Sequence, residues 1–143
     1  GAMVTDSLTY RRYETFTACP SHRAMNSRIL AEHAELDKFG ITVLAAQNNE
    51  AEVILGDSHQ TGWTPPQAHN PEIDQKILSH LDGMIDIPEP RIARRWSATY
   101  SVHPERTEVL LEPARDTRVV LASGGNGLTT SFALAEEVLS LQG

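Results

Sequence analysis

The stretch Ser123-Gly124-Gly125-Asn126-Gly127 constrains this chain more than any other. The apolar run Arg118 to Ala122 precedes it and reads as a buried parallel strand. A helical pattern follows, with Phe132, Ala135, Val138 and Leu139 on the side expected to be buried and Glu136 and Glu137 on the exposed side. Glycines between a strand and a helix let backbone approach a ligand closely, and the helix start offers unpaired N–H groups at the positive end of its dipole. The pattern is not a dinucleotide fingerprint, because Thr130 stands where the third glycine belongs. The residues after it are also too few for a second strand and an acidic ribose partner. A Walker loop is excluded as well, for want of a Gly-Lys-Ser/Thr ending. Two readings remain open: a helix N-terminus ready to receive negative charge, and a plain glycine-rich strand-to-helix turn.

A parallel strand with such an exit belongs to an α/β layer, and nothing else in the sequence supplies one. Leu8 to Phe16 is rich in aromatic and β-branched types and reads as a strand. A helix follows with Ser21 as N-cap, Met25, Ile29 and Leu36 on one face, and Gly40 as its stop. Ile41 to Gln47 and Glu52 to His59 read as a hairpin through Asn48-Asn49, since asparagine tolerates positive φ. Gly62, Trp63 and Pro65-Pro66 mark an exposed loop. Asn70 as N-cap and Pro71 at the first helical position open a second helix, striped by Ile73, Ile77, Leu78, Leu81, Met84 and Ile85 and ended by Pro88 and Pro90. Arg91 to Val102 and Glu108 to Leu111 read as further strands. The expectation is an α+β fold, a mostly antiparallel sheet with two helices, plus a terminal strand–loop–helix that belongs to an incomplete α/β domain.

Composition narrows the partners. Twelve Lys and Arg against nineteen Asp and Glu give a net charge of −7, a surface that repels phosphate backbones and anionic lipids. Neither nucleic acid nor membrane is therefore an expected partner. No apolar run approaches the roughly 20 residues a bilayer span needs. No secretory leader opens the chain, and a cytoplasmic setting is expected. Gly1-Ala2-Met3 resembles the scar left by tag cleavage. Cys19 stands alone, which excludes an internal disulfide framework, and reads as a small buried residue near a helix start. The six histidines form no metal-ligand spacing, so no metal site is expected.

Leu55-Gly56-Asp57-Ser58-His59 is the other segment that bears chemistry. In a strand Asp57 and His59 share one face and Ser58 the other, so the three form no nucleophilic triad. The two polar groups, Asp57 and His59, fit either a pocket wall or an exposed sheet face. Trp63, Trp96 and Tyr100 fit pocket walls or core, and Arg91, Arg94 and Arg95 read as a solvated strand edge.

Three segments resemble one family. Arg118 to Glu137 looks like the C-terminal flavin-closing segment of the D-amino-acid oxidase, glycine oxidase and sarcosine oxidase group. Val53 to His59 is similar to the strand that faces the isoalloxazine in that group. Arg94 to Tyr100 resembles its Trp-x-Gly strand, with Ala98 where glycine is usual. Order and spacing agree from Leu8 onward. The likeness is nearest to the branch associated with aminophosphonates, where Gly-Asp-Ser-His and Gly-Gly-x-Gly-x-x-x-Ser-Phe recur. It implies a flavin-dependent oxidation of an amine (an amino acid, an N-methyl amine or an aminophosphonate) by hydride transfer to FAD.

On that likeness residues 4–112 would be the substrate domain and residues 113–143 the last strand and helix of the FAD-binding domain. Ser123, Gly124, Gly125, Asn126, Gly127, Leu128 and Thr129 would hold the pyrimidine end of the flavin. His59 would be the catalytic side chain, and Tyr100, Asp57 and Gln47 would bind substrate. Tyr100 stands where glycine oxidases carry a carboxylate-binding arginine, which argues against a simple α-amino acid. The half that binds the FAD adenosine and pyrophosphate would be the principal partner, supplied by the protein's own N-terminal region. Without it this piece is expected to be inactive, and its exposed sheet edge is expected to be open to a second copy. The competing expectations are a stand-alone α+β module that binds a small anion without catalysis, and a purely structural domain.

Overall fold

The computed structural model describes residues 3–11, 13–64 and 68–140. Gly1-Ala2 of the expected scar and Pro65-Pro66 of the expected loop lie outside them. The chain divides into two compact units, Gly1–Arg94 and Arg95–Gly143.

The first unit holds β1 (Met3–Thr5), α1 (Ser7–Tyr10), α2 (Glu14–Thr17), α3 (His22–Glu32), α4 (Ala34–Lys38), β2 (Ile41–Gln47), β3 (Val53–Ser58) and α5 (Pro71–Asp82). Its sheet is antiparallel in the order β1-β2-β3. Ile41, Val43 and Ala45 of the central strand are buried with Leu8, Ile29, Leu36, Ile77 and Leu81 from the helices. Each Val, Leu or Ile side chain of this cluster taken from water contributes about 1.5–3 kcal/mol, so the cluster holds the unit together.

The Ile41–Gln47 and Val53–Ser58 hairpin forms as expected, but Ala51, not an asparagine, takes the positive φ of 60°. Asn48 instead caps the turn, its side-chain oxygen accepting from the N–H groups of Glu50 and Glu52. The register shifts between Thr42 and Ala45, where Gly56 lies opposite the extra residue of a β-bulge. A Cβ on Gly56 would meet the Thr42 carbonyl oxygen at 2.2 Å and the Val43 Cα at 2.9 Å. α5 opens as read, with Asn70 Oδ1 accepting from Glu72 N at 3.0 Å and Pro71 in the first turn. It stops at Asp82, well before Pro88. Met84, Ile85 and Ile87 then pack on the core from the segment that follows.

Several expectations give way. Leu8 to Tyr10 and Glu14 to Phe16 are helical, not parts of a strand. Asp6 caps α1 by accepting from Leu8 N at 3.0 Å, and Phe16 meets the rings of Tyr10 and Tyr13 edge-on at 5.1 and 6.4 Å. Those aromatics meet neighbours three and six residues away in the chain, without a cross-strand partner. The helix after Ser21 breaks at His33 into α3 and α4, and Gly40 (φ 62°) ends the second piece. Cys19 is exposed. The two helices expected ahead of the terminal one are five helical segments among the described residues.

The second unit holds β4 (Glu108–Ala114), β5 (Thr117–Ala122) and α6 (Gly127–Ser140). β5 is not a buried parallel strand. It pairs antiparallel with β4 through a tight turn at Arg115-Asp116, where Asp116 has φ 58°. Arg91 to Val102 forms no strand, against the expectation. α6 buries none of its residues. Phe132 is 89% and Leu139 63% exposed, against the expectation that they form its buried side. Arg118 ties the hairpin to the end of α6, donating to the Val138 carbonyl at 2.6 Å and to Glu112 at 2.9 Å.

Candidate functional site

His59 leaves β3 at the mouth of the β2–β3 ladder. Its backbone N–H and its ring Nδ1 both lie on the Gly40 carbonyl oxygen, at 3.1 and 3.3 Å. The left-handed turn at Gly40 aims that carbonyl away from the helix it terminates. Asp57 Oδ1 stands 3.7 Å from the same ring nitrogen. Thr42, buried and directly opposite Asp57 in the ladder, donates its hydroxyl hydrogen to that carboxylate. The His59 side chain is one-third exposed and Asp57 more so, so both face solvent from a rigid base. Gly56, which permits the bulge, fixes the register that puts Asp57 beside Thr42.

Gln47 is not part of this cluster. It pairs with Val53 at the far end of the hairpin, five residues along β2 from Thr42, about 16 Å at strand rise.

In the second unit Ser123 is the one buried residue among those described. Its hydroxyl accepts from His103 N at 2.6 Å and its own N–H donates to the Thr107 carbonyl at 2.7 Å. Gly124 and Gly125 follow with φ 77° and 81°, conformations that a side chain would strain. Gly124 N–H donates to the Ser101 carbonyl, and open space lies where its Cβ would stand. The Tyr100 ring covers Gly125, which any side chain would meet at 3.2 Å. The first α-helical bond of α6 runs from Thr130 N to the Asn126 carbonyl. The amides of Gly127, Leu128 and Thr129 therefore precede the helical ladder. Leu128 is 91% exposed. Tyr100 and the glycine turn thus form one constellation, and Asp57 with His59 another.

Comparison with known proteins finds no matching family model, no matching curated protein and no matching solved structure.

Gly40, read from the sequence only as a helix stop, and Thr42, which the sequence does not single out, lie 19 and 15 residues from the groups they hold. Nor does the sequence single out a groove of about 800 Å³ between the α3–α4 break and α5, lined by His33, Glu35, Gln75, Lys76, Ser79 and His80. There the His33 and His80 rings meet edge-on at 5.1 Å, and His80 Nε2 lies 2.8 Å from Asp6 Oδ2. No local signal foretells a contact between residues 74 positions apart. The described residues hold no group of three His, Cys, Asp or Glu side chains arranged for a metal ion, and no helix among them is long and apolar enough to cross a membrane.

Proposed function

We propose that the chain is the substrate-side, C-terminal portion of a FAD-dependent oxidoreductase that oxidises an amine, with the adenosine-binding half contributed by the protein's N-terminal region. The observation that carries this reading is the Ser123–Thr129 turn. Two consecutive glycines in left-handed conformation are backed by Tyr100 and lead into three first-turn amides. Such a surface fits the edge of a flat, electron-accepting ring. Backbone comes close without a side chain at Gly124, and the helix start stabilises negative charge on whatever it faces. When bound, FAD would accept a hydride from the carbon that bears the nitrogen. The chain's own groups would hold that ring edge and, through Asp57 and His59, meet the substrate amine. The exposed apolar residues of α6 and of the β4–β5 hairpin favour the same reading, since they are what a missing layer would cover.

The test is the visible spectrum of the protein encoded by the complete gene, followed by a screen of amino acids, N-methyl amines and aminophosphonates. Bound flavin reduced by one of these classes is the expected result. A colourless protein that binds inorganic phosphate at the α6 start would favour the small-anion module instead, the second reading those amides support.

A further inference from the structure

The geometry points to a tautomer lock at His59, in which Gly40 and the Thr42–Asp57 pair hold the ring proton on Nδ1 and leave Nε2 as a hydrogen-bond acceptor. A neutral imidazole carries one N–H. Nδ1 faces two oxygens, the Gly40 carbonyl at 3.3 Å and the Asp57 carboxylate at 3.7 Å, neither of which has a proton to give. A lone pair at Nδ1 would be repelled by both, so the proton sits there. Nε2 has no hydrogen-bond partner among the described residues, and the side chain is one-third exposed. Thr42 is the positioning residue. Its hydroxyl is buried and engaged with Asp57, which keeps the carboxylate turned toward the ring.

An acceptor nitrogen next to a carboxylate recognises a ligand that donates and is positively charged, such as a protonated amine. This last step rests on the proposed function; the tautomer does not.

Two-bond 1H–15N correlation on the labelled 143-residue chain, with the ring neutral, reads the tautomer directly. Loss of one imidazole pattern in His59→Asn assigns the signals. The expected result is a protonated Nδ1 and an unprotonated Nε2. The opposite tautomer, or an even mixture, overturns the inference. Asp57→Asn and Thr42→Val should move the tautomer ratio by about three- to tenfold, the worth of one hydrogen bond, and Thr42→Ser should restore it. If neither variant shifts the ratio, Thr42 and Asp57 have no positioning role. In the flavin-loaded protein the same two variants should lower kcat with N-methylglycine or aminomethylphosphonate while flavin content stays unchanged. A colourless complete protein would sink the amine-oxidation reading and leave the tautomer result standing.

Discussion

At the scale of single residues, Gly56 and His59 set the geometry of the first constellation. Gly56 has backbone on every side where a Cβ would project, whereas Gly62 has nothing within 4 Å. Gly56→Ala should therefore cost about 3 kcal/mol or more, while Gly62→Ala should stay within about 0.5 kcal/mol, both read from urea midpoints. Equal effects would mean that the bulge does not depend on Gly56. Under the proposed amine-oxidising function, His59→Ala in the flavin-loaded protein should lower turnover by about 10²–10⁴-fold, the range for a lost proton acceptor, with flavin still bound. Equal loss of both would remove His59 from the substrate side. The pairing of Asp57 with His59 was legible because strand periodicity is local. Gly40 and Thr42 were not, because a bulge and a helix-ending turn decide which residues stand opposite them.

Among the elements, α5 was the most legible, since its cap and first turn announce themselves in Asn70-Pro71. Asn70→Ala should destabilise the first unit by about 1 kcal/mol, checked by thermal unfolding. α1 and α2 were the least legible. Their aromatic and β-branched residues suit a strand, but the Asp6 cap and the ring contacts among Tyr10, Tyr13 and Phe16 are satisfied within a few residues. The β4–β5 hairpin was half legible, as both strands could be read but not their pairing, because Arg115-Asp116 carries no glycine or asparagine to mark a hairpin turn. Arg118 joins this hairpin to α6 by one bond to a carbonyl and one to a carboxylate. Arg118→Met should speed amide exchange in the last turn of α6 while leaving α5 unchanged. Uniform protection in both helices would show that the tie does not hold α6.

Across the whole molecule the contrast between the units matters most. The buried apolar cluster lies wholly within Gly1–Arg94, whereas the second unit leaves Leu111, Leu128, Phe132 and Leu139 more than half exposed. A surface of that kind is expected to associate. Sedimentation of the chain should show concentration-dependent self-association, reduced in a Leu128→Ser, Phe132→Ser double variant. No shift between the two would mean that α6 is not the sticky face.

The most direct measurement is the visible absorption of the complete gene product, purified natively and then mixed with the amine panel without oxygen. The account predicts a flavin spectrum that bleaches with at least one amine and is lost when Gly124 is replaced by valine. A complete, folded protein without flavin absorbance would contradict it.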